Sequence, residues 1–223
     1  MKRLIAMILA WSMVLSLSAC TKPQEETPAP TPETGAAQEA QVQEPVSHYP
    51  VTVTDQAGRE VVIEEEPQKL VSGYYISTSL MIALELDDKL VGIEAKADKR
   101  PIYSLSAPEL LELPNVGSAK EFDLEGCTAL EPDLVVLPLK LKEAAKTLEG
   151  LGIDVLLVNP ENQQQLTEMI ELIAKATGTQ KRAQQLLDFT AAQQKELETM
   201  LADAPTPTVY LAGNSDLLST AGS

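Results

Sequence analysis

The chain has 223 residues, and its 33 Asp and Glu against 17 Lys and Arg give a formal net charge of −16 at pH 7. Because nucleic acids and anionic lipid surfaces are themselves negative, this charge disfavours both as partners. With two cysteines and one histidine, His48, the chain has few residues for a Cys–His or Ser–His catalytic pair, or for a bare-metal site built from histidines.

The first twenty residues have the pattern of an export signal. Lys2 and Arg3 precede an uncharged and mostly apolar stretch, residues 4–17, which is shorter than the roughly 20 residues that a membrane span needs. Residues 17–20 (LSAC) then resemble the bacterial lipobox. We expect cleavage after residue 19 and lipid attachment to Cys20; the alternative is an ordinary signal peptide followed by a chance cysteine.

Residues 21–48 have the composition of a disordered linker. Pro, Glu, Thr, Gln and Ala dominate this stretch, and large apolar side chains are too few to offset the entropy of ordering it. We expect the linker, which starts at the lipidated Cys20, to hold a folded body clear of the membrane. His48, at its end, is expected to be solvated.

The first part of the folded body alternates between strands and helices. Residues 51–54 and 61–63 flank a glycine-bearing turn, which predicts a β-hairpin. Residues 94–122 are predicted to be mostly loop. The apolar pattern further predicts strands at residues 69–72, 90–93, 133–137 and 154–158, and helices at residues 77–86, 123–130 and 140–151. Such alternation predicts an α/β fold, with a parallel sheet covered by helices on both faces.

The pattern changes after the last of these strands. Residues 163–204 are predicted to be helical, with a break near residues 177–179 and a long, charged second helix that ends before two prolines. Residues 209–212 then predict a new strand. Because a single strand cannot form a domain, we expect residues 205–223 to be the start of a second lobe that is truncated in this sequence.

Several short motifs, in this order and spacing, resemble one family. With the lipobox and the long helix, they are similar to the substrate-binding proteins of ABC importers for iron complexes, haem and cobalamin, and the resemblance extends over about residues 50–223. The motifs are TDQAGR at residues 54–59, LVGI at residues 90–93, NVG at residues 115–117 with DLE at residues 123–125, and ALEPDLVV at residues 129–136.

This resemblance implies a parallel-sheet, Rossmann-like N-terminal lobe, residues 49–162, joined by the long helix to a second α/β lobe, with the ligand held between them. It implies a receptor rather than an enzyme, without a cofactor and monomeric, held on the outer face of the cell membrane by its lipid. Its partners would be an ABC permease and its ATPase subunit, and its ligand a ferric siderophore, haem or a corrinoid.

The resemblance also implies that an acidic residue on each lobe docks onto arginines of the permease. Glu125 matches this position in the N-terminal lobe. A second interpretation is compatible with the first: Glu125 lies at the start of a predicted helix, where the helix dipole favours an acid by about 0.3–1 kcal/mol.

Candidate ligand-binding residues follow the predicted strands, because ligands of open parallel sheets bind outside the carboxyl ends of the strands. Tyr74 and Tyr75 follow the first sheet strand and could stack on a flat ligand; Tyr103 is a weaker candidate. The loops also contain basic residues in an otherwise acidic body, which suggests an anionic ligand, although each could simply be solvated. These are Lys96, Lys99, Arg100, Lys120 and Lys140.

Common catalytic motifs are missing from the 223 residues. The sequence contains no Walker A, Gly-x-Ser-x-Gly, His-Glu-x-x-His or Gly-x-Gly-x-x-Gly motif. Cys127, in an apolar context, is expected to be a small core residue. Two alternatives remain open at this point: an extracytoplasmic hydrolase on the same fold, and a surface lipoprotein that uses the lobe for protein interactions without transport.

Overall fold

The computed structural model describes residues 48–208. Its first element is a hairpin of two antiparallel strands, β1 (Val51–Thr54) and β2 (Glu60–Ile63). Alternate side chains of both strands are buried, and Gly58 takes the left-handed conformation that the connecting turn requires, with φ of 76°. The predicted hairpin is confirmed.

Four parallel strands form the central sheet, in the order β4-β3-β5-β6. Each predicted strand is confirmed to within one residue at either end. All their residues but two are buried, as expected for strands covered on both faces. The strands are β3 (Leu70–Ser72), β4 (Leu90–Ile93), β5 (Leu134–Pro138) and β6 (Asp154–Val158).

Six α-helices connect or follow these strands in the described part of the chain. Helices α5 and α6 are separated by Gly178, whose φ of 75° ends α5 at the predicted break. The helices are α1 (Tyr75–Ala83), α2 (Pro101–Ser106), α3 (Leu124–Ala129), α4 (Lys142–Gly150), α5 (Gln163–Thr177) and α6 (Gln180–Met200).

The hydrophobic core lies on both faces of the sheet. On one face, Leu134, Val136 and Leu156 pack with buried residues of α1, α5 and the hairpin. On the other face, the alternate residues Val135 and Leu157 pack against α3 and α4. The predicted two-sided cover of the sheet is therefore confirmed, and the whole arrangement is an α/β fold.

The turn of the hairpin is fastened to the edge strand β6. Gln56 donates its backbone N–H to the carbonyl of Leu157 at 3.0 Å, and Leu157 donates its own N–H to Asp55 Oδ2 at 3.0 Å. Arg59 donates from Nη2 to the carbonyl of Val155 at 2.9 Å. The turn therefore satisfies backbone groups that an open sheet edge would leave unpaired.

The structure differs from the sequence prediction in two places near the sheet. Helix α1 begins at Tyr75, two residues before the prediction, so Tyr75 belongs to a helix and not to a loop. The segment predicted as mostly loop contains α2 and two 3-10 helices, Ala97–Lys99 and Pro108–Glu112. These helices are too short to show a periodic apolar pattern in the sequence.

The long helix α6 extends beyond the packed part of the fold. Its residues 191–200 are all exposed, and Phe189 and Leu197 are more than half exposed. Among the helices of residues 48–208, none is long and apolar enough to cross a membrane. The predicted signal, Cys20, the linker up to residue 47 and the strand at residues 209–212 lie outside the described residues.

Candidate functional site

The carboxyl ends of the parallel strands bring together the loops and first helical turns that follow them. We call this region the carboxyl edge: residues 73–76, 94–103, 117–122 and 138–141. The backbone N–H of Ala95 donates to the carbonyl of Gly117 at 2.7 Å, which links the second and third of these loops. Gly73 lies against Phe122 and Leu137, which links the first loop to the third and to the end of β5.

Two glycines make this close approach possible. A Cβ atom at Gly73 would lie 2.6 Å from Cδ2 of Leu137, well inside van der Waals contact. Gly117 has a φ of 83°, and a Cβ atom there would collide with the carbonyl oxygen of Glu121. The glycines therefore allow the loops to pack closely at the ends of the strands.

A buried carboxylate lies within the carboxyl edge, at the end of the outer strand β4. Glu94 directly follows β4 and is 5% exposed. Its Oε2 accepts a hydrogen bond from Thr78 Oγ1 at 2.6 Å, and its Oε1 accepts from Tyr103 Oη at 2.8 Å and from Arg100 Nε at 3.2 Å. Groups from α1, α2 and the residue before α2 therefore meet on one side chain.

Tyr103 is held in its protonated form inside this cluster. It has no exposed surface, and burial raises its pKa well above the ordinary value, an effect that the charge of Glu94 and the hydrogen bond to it increase. Its hydroxyl also lies 3.1 Å from the carbonyl oxygen of Tyr75. Tyr103 therefore serves as a neutral hydrogen-bond donor that joins α2 to the start of α1.

Two more tyrosines and an arginine form the exposed side of the cluster. The guanidinium carbon of Arg100 lies 3.9 Å from the ring centroid of Tyr75, in cation–π geometry. The rings of Tyr74 and Tyr75 pack edge to face with centroids 5.1 Å apart. Burial raises the pKa of Tyr74, and Tyr75 and Glu161 add to the shift. Tyr75 therefore contacts two other predicted ligand-binding residues, Tyr74 and Arg100.

The predicted lysines lie on the same loops but are more loosely held. Lys96, Lys120 and Lys140 are exposed, and within residues 48–208 no acidic side chain forms an ion pair with them. Lys99 pairs with the exposed Asp98 at 2.8 Å. The lysines thus add positive charge to the carboxyl edge without a fixed geometry.

Sequence reasoning did not single out Glu94, Thr78 or Phe122 as site residues. For Glu94 a signal was present, because an acidic residue directly after a buried strand occupies the carboxyl edge. The prediction counted only basic and aromatic residues there. The hydroxyl of Thr78 had no comparable signal, because its contact with Glu94 depends on how α1 packs beside β4.

Glu125 is exposed in the first turn of α3. That short helix is capped by Asp123, whose Oδ1 accepts from the backbone N–H of Gly126 at 2.8 Å. The surface position is compatible both with docking to a partner and with a favourable helix N-terminal acid. The docking role of Glu125 stays a prediction.

Cys127 is an unpaired, fully buried core residue, as predicted. Burial raises the pKa of its thiol to about 11, and the charge of Asp123 adds to this effect. Within residues 48–208, no cluster of three or more His, Cys, Asp or Glu side chains could hold a metal ion.

We expect the Cys127 thiol to be unreactive in the folded chain, because reaction requires both access and a thiolate. In a Cys20→Ser variant at pH 8, labelling by a thiol reagent such as DTNB should be at least about 100-fold slower in buffer than in urea. The matched control is the same variant unfolded. Equal labelling rates in the two states would contradict the buried position of Cys127.

His48 lies away from the carboxyl edge. It is exposed, its Nε2 is 2.7 Å from Gln180 Nε2, and it lines a cavity of about 290 Å³ between α5 and α6. We call this the helix-pair cavity; Ala174, Ala183 and Leu187 also line it. His48 therefore lies against the pair of helices α5 and α6.

Comparison with known proteins gives consistent matches to one family. The family model described as periplasmic binding protein matches residues 70–222. A Bacillus subtilis (strain 168) relative, described as the uncharacterized ABC transporter substrate-binding lipoprotein YvrC, is 29% identical over an alignment of 188 residues that covers 76% of this chain and 57% of the relative. The chain therefore spans little more than half the length of this relative.

Solved structures share the fold. The molybdate periplasmic binding protein MolA of Haemophilus influenzae, bound to molybdate, matches with a TM-score of 0.66 and 21% identity, over 74% of this chain and 58% of that one. A periplasmic heme binding protein from Pseudomonas aeruginosa matches with a TM-score of 0.54 and 26% identity, over 65% of this chain and 52% of that one. Because the family model covers well over half of the sequence, the chain belongs to the periplasmic binding protein family.

Proposed function

We propose that the chain is the ligand-binding receptor of an ABC importer, which captures an iron complex (a ferric siderophore or haem) or cobalamin and delivers it to a permease that works with a separate ATPase subunit. The observation that carries the proposal is the contact of the half-buried Arg100 with the exposed Tyr75 at the carboxyl edge, where Glu94 holds Arg100 from the buried side.

The position of this pair supports binding. Ligands of open α/β sheets bind outside the carboxyl ends of the strands, and Arg100, Tyr74 and Tyr75 lie there. An aromatic face beside a guanidinium suits a flat ligand that carries acidic groups, such as haem with its propionates or a siderophore with carboxylates.

The charge distribution supports an anionic ligand. The chain as a whole carries a net charge of −16, yet the segments of the carboxyl edge carry five basic residues against three acidic ones, Glu94, Asp98 and Glu121. Positive charge gathered at one edge of an acidic protein attracts anions locally and repels them elsewhere. A specific anionic ligand would therefore be guided to this edge.

The relatives support the receptor role and leave the choice of ligand open. One relative is described as an ABC transporter substrate-binding lipoprotein, and two structural neighbours are described as binding heme and molybdate. Both of those ligands carry negative charge, in agreement with the basic residues of the carboxyl edge. Molybdate is therefore included in the test below beside the iron complexes and cobalamin.

The anchor and the docking residue complete the proposal. Lipid on Cys20 would hold the receptor at the outer face of the cell membrane, and the linker would let a monomeric receptor reach its permease. Such tethering raises the effective concentration of the docking partner, in the millimolar range for a short flexible linker. Glu125 is the proposed contact of the N-terminal lobe with permease arginines.

A titration panel tests this function. The full chain, carrying Cys20→Ser so that it is free of lipid, is titrated by calorimetry and absorbance with haemin, ferric citrate, cyanocobalamin and sodium molybdate. We expect saturable binding of one of the first three. Binding of molybdate alone would reassign the chain to oxyanion capture, and binding of none of the four would contradict the proposed function.

A further inference from the structure

Glu94 joins helix α1, helix α2 and the residue before α2. Its carboxylate accepts hydrogen bonds from Thr78 on α1, from Tyr103 on α2 and from Arg100, which immediately precedes α2. A carboxylate that is 5% exposed is costly to bury unless it is paired and hydrogen-bonded. Arg100 is the one cation paired with it among residues 48–208.

The contact leaves most of the guanidinium available. Arg100 uses Nε for Glu94, at 3.2 Å, and its Nη1 and Nη2 groups have no hydrogen-bond acceptor within residues 48–208. The guanidinium also lies over the ring of Tyr75, 3.9 Å from its centroid. One contact therefore fixes the position of the group and the other restricts its plane, while two NH₂ groups remain to donate hydrogen bonds.

The cluster below Glu94 is itself fixed. Thr78 Oγ1 lies 2.7 Å from Ser72 Oγ, which lies 2.7 Å from Ser77 Oγ, and all three residues are buried. Tyr103 donates from the other side and has no exposed surface. Glu94 therefore has little freedom to move, and a group bound to it is held with comparable rigidity.

We infer that Glu94 is a positioning residue, which holds the guanidinium of Arg100 in the orientation that binds a carboxylate group of the ligand. The inference rests on the proposed function and deepens it, because it names the part of the ligand that is recognised. A planar guanidinium matches the two oxygens of a carboxylate. Lys96, Lys120 and Lys140 attract an anion electrostatically, but a lysine ammonium group has no planar pair of donors that matches a carboxylate.

Preorganisation has a measurable consequence. A free arginine side chain must lose rotamer freedom when it binds a ligand, and Arg100 has lost most of that freedom already. Removing the Glu94 contact should therefore weaken binding even though Glu94 touches no ligand and carries a charge that repels an anion. On charge alone, Glu94→Gln would strengthen the binding of an anion, so the two explanations predict opposite signs.

The test is a double-mutant cycle with haemin as the probe, because haemin carries two carboxylates. The full chain is titrated as wild type, Glu94→Gln, Arg100→Met and the double variant. Glu94→Gln is expected to weaken haemin binding about tenfold, and the double variant should bind within twofold of Arg100→Met alone, because Glu94 acts through Arg100. Tighter binding in Glu94→Gln, or two losses that add fully, would overturn the inference.

A second measurement needs no ligand. The Nε–H proton of Arg100, assigned by its absence from the NMR spectrum of Arg100→Met, should exchange with water at least about tenfold faster in Glu94→Gln than in wild type. Unchanged exchange would overturn the inference. If wild type does not bind haemin, the proposed haem receptor fails, and the exchange rate alone decides whether Glu94 positions Arg100.

A matched variant guards against a general loss of structure. Tyr103→Phe removes one donor to Oε1 of Glu94 and leaves the carboxylate and Arg100 in place. It should weaken haemin binding by about threefold, less than Glu94→Gln does. Urea unfolding checks that each variant is folded. If Tyr103→Phe weakens haemin binding by the same factor in the Arg100→Met variant as in wild type, Tyr103 does not act through Arg100, and the inference is contradicted.

Discussion

Replacing Asp55 with alanine is expected to lower the free energy of unfolding by about 3–5 kcal/mol, because three backbone N–H groups lose their acceptor and Arg59 keeps only its more exposed acidic partner, Glu149. The side chain of Asp55 is fully buried, and that of Arg59 is 27% exposed. Oδ2 of Asp55 accepts from Nε and Nη2 of Arg59 and from the backbone N–H of Leu157, and Oδ1 accepts from the N–H groups of Ala57 and Arg59.

The loss would be a large part of the total stability, since a domain of this size unfolds with about 5–15 kcal/mol. Urea unfolding followed by circular dichroism measures it. The matched control is Glu143→Ala, which removes an exposed pair with Lys146 on α4 and should cost no more than about 1 kcal/mol. A loss below about 1 kcal/mol for Asp55→Ala would show that the hairpin is not fastened to β6 through this carboxylate.

Arg100→Met is expected to weaken binding of an anionic ligand by about 10- to 100-fold, because hydrogen bonds to charged groups contribute about 1.5–3 kcal/mol. Methionine keeps much of the length of the side chain and removes the charge and the donors. The measurement is the affinity for whichever panel member binds the wild-type chain, at low and at physiological salt.

Lys99→Met is the matched control for this effect. Lys99 precedes Arg100 directly, carries the same charge and is largely exposed in a pair with Asp98. Its loss should change affinity by less than threefold, since an exposed charge contributes little. Equal losses in the two variants would mean that the carboxyl edge attracts anions only through net charge, without a specific arginine contact.

Much of the fold could be predicted from the sequence because its core strands are continuous apolar runs. Residues 134–138 and 154–158 are almost entirely apolar, and such runs are typical of strands buried on both faces. The hairpin was predictable because its strands alternate around a turn with glycine. The break at Gly178 followed from glycine at the end of a helical pattern.

The segment between β4 and α3 could not be predicted in the same way. Helix α2 and the 3-10 helix Pro108–Glu112 each begin with proline and are shorter than two turns of α-helix. They are held by tertiary contacts, such as that of the buried Tyr103 with Glu94. This contact depends on where β4 ends relative to α2 in space, and the pattern of apolar residues within either segment does not predict that position.

The candidate site was predictable in position but not in construction. Strand ends identified the segments that carry Arg100, Tyr74 and Tyr75, because carboxyl ends of parallel strands meet at one edge. What the sequence did not indicate is that Glu94 would be buried beneath them and bonded to Arg100. From charge alone, Glu94 would be expected to repel an anionic ligand and so to have no part in binding it. The structure shows instead that Glu94 holds Arg100, the residue proposed to bind that ligand.

Hydrogen exchange measured by mass spectrometry, with and without the panel member that binds, tests most directly whether the carboxyl edge is the ligand-binding region. We predict that ligand slows exchange in residues 73–79 and 94–103, which contain Tyr75, Glu94 and Arg100, and leaves exchange around the helix-pair cavity unchanged. Protection confined to residues 171–187, with none at the carboxyl edge, would contradict the proposed site.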